Sequence, residues 1–126
     1  MNAAGFLAVG IGAVLGAWLR WFLSLTLNGI VPNLPLGTLT VNLAGGLVIG
    51  IAVELFTLHP VLAPEFRLFV ITGFLGSLTT FSAFSAEASG LLQRGQFGWA
   101  FALIAAHLLG SLAMTLLGMA AVRSLG

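Results

Sequence analysis

A chain of 126 residues that is 60% hydrophobic, only 6% charged and of formal net charge +1 is not an ordinary water-soluble domain, in which about a quarter of residues carry charge. Its mean hydropathy of +1.16 points to lipid as the solvent, and a pI near 9.2 resting on so few groups says little about partners. The ionisable side chains are four Arg, three Glu and two His; with no Lys, Asp, Cys or Tyr there is neither a basic nucleic-acid face nor a disulfide framework.

A bilayer core of about 30 Å takes around 20 apolar residues per helix, and that ruler divides residues 1–126 into four spans of one all-α transmembrane domain. The first is predicted over 4–27, closing at Asn28-Gly29. Met1 to Leu7 carries no basic residue and the apolar run outlasts that of a signal peptide, so Met1 onward is read as mature protein. Gly12, Gly16 and Arg20 recur every four residues, which puts a guanidinium on the face where small residues permit close approach. Arg20 either snorkels to the headgroups or turns inward and lends positive potential to an aqueous vestibule. Pro32-Asn33-Leu34-Pro35 then forms a turn or short re-entrant loop.

The second span is predicted over 38–58 and holds Asn42 several residues inside the hydrocarbon zone. Gly46 and Gly50 follow at i+4 and i+8, so one face carries an amide above a glycine groove. Asn42 serves either as packing glue between helices or as a pore group. Glu54, near the end of this span, is expected in interfacial solvent. The connection from His59-Pro60 to Pro64-Glu65 is polar and proline-rich enough for the interface.

The third span, predicted over 66–92, would reach about 40 Å as one straight helix, too long for the bilayer. Gly73, Gly76, Ser77, Thr79 and Thr80 are weak helix formers and fall where that excess demands an interruption, so the helix is expected to break in mid-membrane. Unwound backbone there must be buried or face water, and its free carbonyls can coordinate a cation. An intact helix bent by hydroxyl back-bonding is the other possibility. Beyond it, Phe81 and Phe84 share a face, beside a hydroxyl stripe of Ser82, Ser85 and Ser89. Such rings usually pack, but their positive rims can also face an anion.

After the turn Gln93-Arg94-Gly95-Gln96, the fourth span is predicted over 97–122. Along it His107, Ser111 and Thr115 recur every four residues, a polar rail about 12 Å long by helix rise. A lone membrane histidine is commonly held by a neighbouring carbonyl, so the rail is the stronger sign. No metal-ligand spacing, nucleophile and base pair, phosphate loop or dinucleotide fingerprint occurs, and the chain is read as no enzyme. An even number of spans puts both termini on one side with Arg67 and Arg123, opposite Arg94 and an outward Arg20. Two against two leaves insertion unbiased, which permits an antiparallel, dual-topology homodimer or one fixed orientation.

Four segments together, Gly16-Ala17-Trp18-Leu19-Arg20-Trp21, Gly37-Thr38-Leu39-Thr40-Val41-Asn42, the run from Gly73 to Ser85 and Gly110-Ser111, resemble the Fluc (CrcB-type) fluoride channels along the whole chain. Thr79-Thr80-Phe81-Ser82-Ala83-Phe84-Ser85 is the most specific piece. The resemblance implies a fluoride-selective passive channel in the bacterial inner membrane that exports cytoplasmic fluoride. It further implies an antiparallel homodimer whose two pores are built from both subunits, with a structural sodium ion at the interface. In that pattern the sodium is held by the backbone carbonyls of Gly76 and Thr79 from each subunit. The pore amide matches Asn42, the phenylalanine pair Phe81 and Phe84, and the hydroxyl track Ser111 and Thr115. Arg20 and Glu87 match a vestibule arginine and the acid that follows the phenylalanine segment. Ser77 stands where glycine is frequent and Ala83 where threonine is; neither removes a carbonyl, so the ion site is expected to survive both, although a serine has less backbone freedom than glycine. Fluoride is small and strongly hydrated, so dense donors such as Asn42, Thr80, Ser111 and Thr115 suit it. A small proton-coupled multidrug exporter is the competing reading, but it needs an acid in the first span, which offers only Arg20.

Overall fold

The computed structural model describes all residues from Met1 to Gly126. Four helical spans, Ala3–Leu27, Leu36–Leu58, Pro64–Gln93 and Phe97–Leu125, are long and apolar enough to cross a bilayer, and the chain is a multi-pass, all-helical membrane protein. We label Ala3–Leu27 α1 and Leu36–Leu58 α2. The third span runs through α3 (Pro64–Arg67), a π-helical stretch (Leu68–Leu75) and α4 (Gly76–Leu78), then breaks and resumes as α5 (Phe81–Gln93). The fourth is α6 (Phe97–Leu125).

Local chemistry sets these ends and moves the expected bounds by one to three residues. The Asn2 side chain caps α1, accepting from Gly5 N at 2.7 Å. Asn28 ends it, and its Oδ1 accepts Thr38 N at 3.1 Å, which ties the end of α1 to the first turn of α2. That tie and Pro35, which has no N–H to leave unpaired, carry α2 back to Leu36. Pro64, at the first helical position, likewise starts the third span two residues before 66. Gly95, at φ 73°, turns the chain between α5 and α6 in the left-handed region. At the far end α6 runs three residues beyond 122, and Arg123 Nε donates to Glu54 Oε1 at 2.8 Å. Glu54 is thus ion-paired rather than simply solvated.

Lipid tails give no hydrophobic drive for helices to associate, so contact depends on close backbone packing. Two glycine seams provide it. Between α2 and α6, a Cβ on Gly50 would strike the Thr115 carbonyl, and one on Gly118 the Leu47 carbonyl. Between α1 and the π-helical stretch, a Cβ on Gly12 would come within 2.8 Å of Phe74 N, and one on Gly73 within 2.6 Å of the Val9 carbonyl. The large apolar side chains face outward instead, including Phe6, Trp18, Trp21 and Phe101, and the buried core is reduced to small clusters such as Val41, Leu75 and Leu78.

Candidate functional site

The break falls at Thr79 (φ −80°, ψ 156°) and Thr80 (φ −149°, ψ 113°), two extended residues between α4 and α5. An unbroken helix would pass Thr80 N–H to the Gly76 carbonyl. Here it donates to Asn42 Oδ1 at 2.8 Å, while Asn42 Nδ2 donates to the Thr80 carbonyl at 3.0 Å. One amide on α2 therefore satisfies both backbone groups of Thr80, as a paired strand would. Thr80 Oγ1 in turn caps α5 by accepting Ala83 N at 3.1 Å, which takes the donor that Thr79's carbonyl would otherwise have had. The carbonyls of Gly76 and Thr79 are thus both released from the helical ladder.

Arg20 turns inward. Its Nε donates to the Ser77 carbonyl at 2.9 Å, one of the last carbonyls before the break, where a cation also meets the negative end of the arm. Within the fold Arg20 thus reaches the third span and binds it, on the face where Gly12 and Gly16 bring the two spans close. Ser77 sits in ordinary helical backbone, and Gly95 is the only residue with positive φ, so serine at that position does not restrict the chain. Its hydroxyl lies 2.7 Å from the Ala13 carbonyl and 2.8 Å from that of Gly73, so its one proton is shared between them and links α1 to the third span. Arg20→Ala is expected to destabilise the protein by about 2 kcal/mol, the worth of a hydrogen bond from a charged donor. Thermal unfolding in detergent measures it, with Arg20→Lys as a control that keeps the charge but not the reach.

A cavity of about 620 Å³ opens beside the break, walled by Asn42, Gly76, Thr79, Thr80, Phe81, Phe84, His107 and Ser111, together with aliphatic and glycine positions. Asn42, Thr80, Phe81, Phe84 and Ser111, singled out from sequence, thus share one wall with Gly76 and Thr79. Phe81 and Phe84 meet edge to face at 5.4 Å, and Phe81 remains 79% exposed at the rim. Thr115 is not on this wall: its hydroxyl donates back to the Ser111 carbonyl at 2.9 Å, and Gly46 of α2 packs against it. Arg20 and Glu87 also lie off the wall. Glu87 Oε2 accepts from the buried Thr38 hydroxyl at 2.7 Å, linking α5 to the start of α2.

His107, the weaker sign on the rail by sequence, has a larger place in the fold. It is buried, its Nδ1 lies 3.0 Å from Asn42 Nδ2, and its ring packs on Phe84 at 4.8 Å. The signal was its place at the head of the rail with Ser111 and Thr115. The pairings of Arg20 with the Ser77 carbonyl and of Thr38 with Glu87 are not readable from the sequence, since nothing local marks a contact between residues 57 or 49 positions apart.

The sequence profile of the family described as "CrcB-like protein, Camphor Resistance (CrcB)" matches residues 7–119. The chain is 57% identical over 123 residues to the "Fluoride-specific ion channel FluC" of Nitrosospira multiformis, covering 98% of this chain and 96% of that one. It is 54% identical over 125 residues to the protein of the same name in Cupriavidus metallidurans, with 99% of both chains covered. To that of Burkholderia lata it is 60% identical over 117 residues, covering 93% and 91%.

Proposed function

This chain belongs to the CrcB-like family, and we propose that it is a fluoride-selective passive ion channel, which lets fluoride leave the cytoplasm down its electrochemical gradient and so relieves fluoride toxicity. The observation that carries the reading is the single cavity wall on which hydroxyls, phenylalanine rims and a backbone break converge. Fluoride gives up a tight water shell only where fixed donors replace it. Thr80 and Ser111 hydroxyls and the edges of Phe81 and Phe84 are such groups in a mostly apolar wall, where each interaction is stronger than in water. Arg20, held at the break by the Ser77 carbonyl, adds positive potential to the approach. Nothing in α1 supplies the acid that a proton-coupled exporter would need.

The channel is proposed to work as an antiparallel homodimer in the bacterial inner membrane. Phe81 standing exposed at the cavity rim fits a second copy that completes the wall. Arg67 and Arg123 against Arg94 is a weak charge bias, compatible with insertion in both directions. A structural sodium ion at the dimer interface fits the released carbonyls of Gly76 and Thr79, hard oxygen ligands of the kind such a cation takes. Bound there, it would neutralise converging carbonyl dipoles and hold the breaks of the two subunits together.

The test is fluoride efflux from liposomes holding the purified protein, followed by a fluoride electrode after valinomycin is added, with chloride-loaded vesicles alongside. Rapid fluoride release with little chloride release is the expected result. No fluoride release from correctly assembled protein would overturn the channel.

A further inference from the structure

Asn42 has one amide oxygen and two amide hydrogens, and all three are engaged. Its oxygen must be the atom 2.8 Å from Thr80 N, since a backbone N–H only donates. Its nitrogen must face the Thr80 carbonyl, since a carbonyl only accepts. The backbone therefore fixes which way this amide points. The same nitrogen lies 3.0 Å from Nδ1 of His107, and an amide NH2 has nothing with which to accept. Nδ1 is then the acceptor, and the ring proton sits on Nε2.

We infer that His107 is a positioning residue for Asn42, held as the Nε2–H tautomer, whose Nδ1 lone pair fixes where the pore amide stands against α6. Two bonds to Thr80 tie Asn42 to the break; the third ties it to the fourth span, so that three elements of the cavity wall share one register. The ring is itself held. Phe84 packs on it at 4.8 Å. One turn along, Gly46 brings α2 so close to α6 that a Cβ there would lie 3.0 Å from the Ser111 carbonyl. A hydrogen on Nδ1 would point at the amide hydrogen and push the two helices apart. The effect on flux rests on the channel reading above; the tautomer does not.

The experiment pairs flux with a spectrum. His107→Asn keeps an amide oxygen near the place of Nδ1, His107→Gln sends its polar end toward Nε2, and His107→Leu keeps neither. Fluoride efflux is expected to fall about tenfold in His107→Leu and His107→Gln, as for the loss of one buried hydrogen-bond partner, and to recover in large part in His107→Asn. Unchanged efflux in His107→Leu, or recovery in His107→Gln in place of His107→Asn, overturns the inference. Nitrogen-15 NMR of histidine-labelled protein, in a His59→Gln background that leaves one imidazole, is expected to show protonated Nε2 and bare Nδ1. A protonated Nδ1 overturns the inference whatever the flux. Should the unaltered protein release no fluoride, the channel reading falls, and the nitrogen spectrum still decides the tautomer.

Discussion

Asn42→Leu is expected to reduce fluoride efflux from liposomes to the level of empty vesicles and to lower stability in detergent by roughly 2–6 kcal/mol. The size follows from what the amide does. It accepts Thr80 N–H and donates to the Thr80 carbonyl, the two groups that the helix break has stripped of helical partners. A leucine fills similar volume but offers neither group. Both would be left unpaired at a depth where water is scarce, each costing about 1–3 kcal/mol. The chain escapes that cost by closing the break into continuous helix or by drawing water to it. Either response moves Phe81 and the released carbonyls of Gly76 and Thr79, so flux fails with the local structure. Normal efflux from Asn42→Leu would show that the break does not depend on this amide and that Asn42 is packing glue.

The four spans and the break were legible because one length, the bilayer thickness, decides both. Runs of apolar residues marked the helices, and a third run too long for the membrane had to give way where Gly76, Ser77, Thr79 and Thr80 cluster. The π-helical stretch from Leu68 to Leu75 was not legible, since apart from Thr72 and Gly73 its residues read as ordinary apolar membrane helix. Its geometry answers to α1, whose Gly12 and Gly16 admit the backbone of residues 69–74. Arg20 shows the same limit from the other side. Its four-residue spacing from Gly16 gave the face but not the partner, because the Ser77 carbonyl becomes an acceptor only once the third span has broken and docked. Periodicity likewise put Thr115 on the rail with Ser111, yet a threonine hydroxyl can return to the carbonyl one turn back. Here it does, and it leaves the cavity wall to Ser111.

Gly50→Leu is expected to prevent assembly of folded protein, seen as loss of the monodisperse peak on size exclusion and of any cooperative unfolding transition. A side chain at that position meets backbone, not a yielding side chain: the Thr115 carbonyl stands in contact and Met119 N lies 3.1 Å from the ideal Cβ. Overpacking in a core costs about 1–3 kcal/mol when neighbours can shift, and more when the obstacle is a helix axis. The only relief is separation of α2 from α6, which opens the seam where Gly46 meets Ser111 and where Asn42 reaches His107. Damage at a glycine two turns from Asn42 and beside Ile49 of the wall would therefore reach the ion pathway through the register of two helices. Gly10→Ala on α1 is the control, since an added Cβ there meets nothing within 4 Å. That change is expected to leave the fold intact and to raise stability by up to about 1 kcal/mol, the difference in helix propensity between the two residues. If Gly50→Leu assembles and conducts as well as Gly10→Ala does, α2 and α6 are free to part, and close glycine packing is not what holds the wall in place.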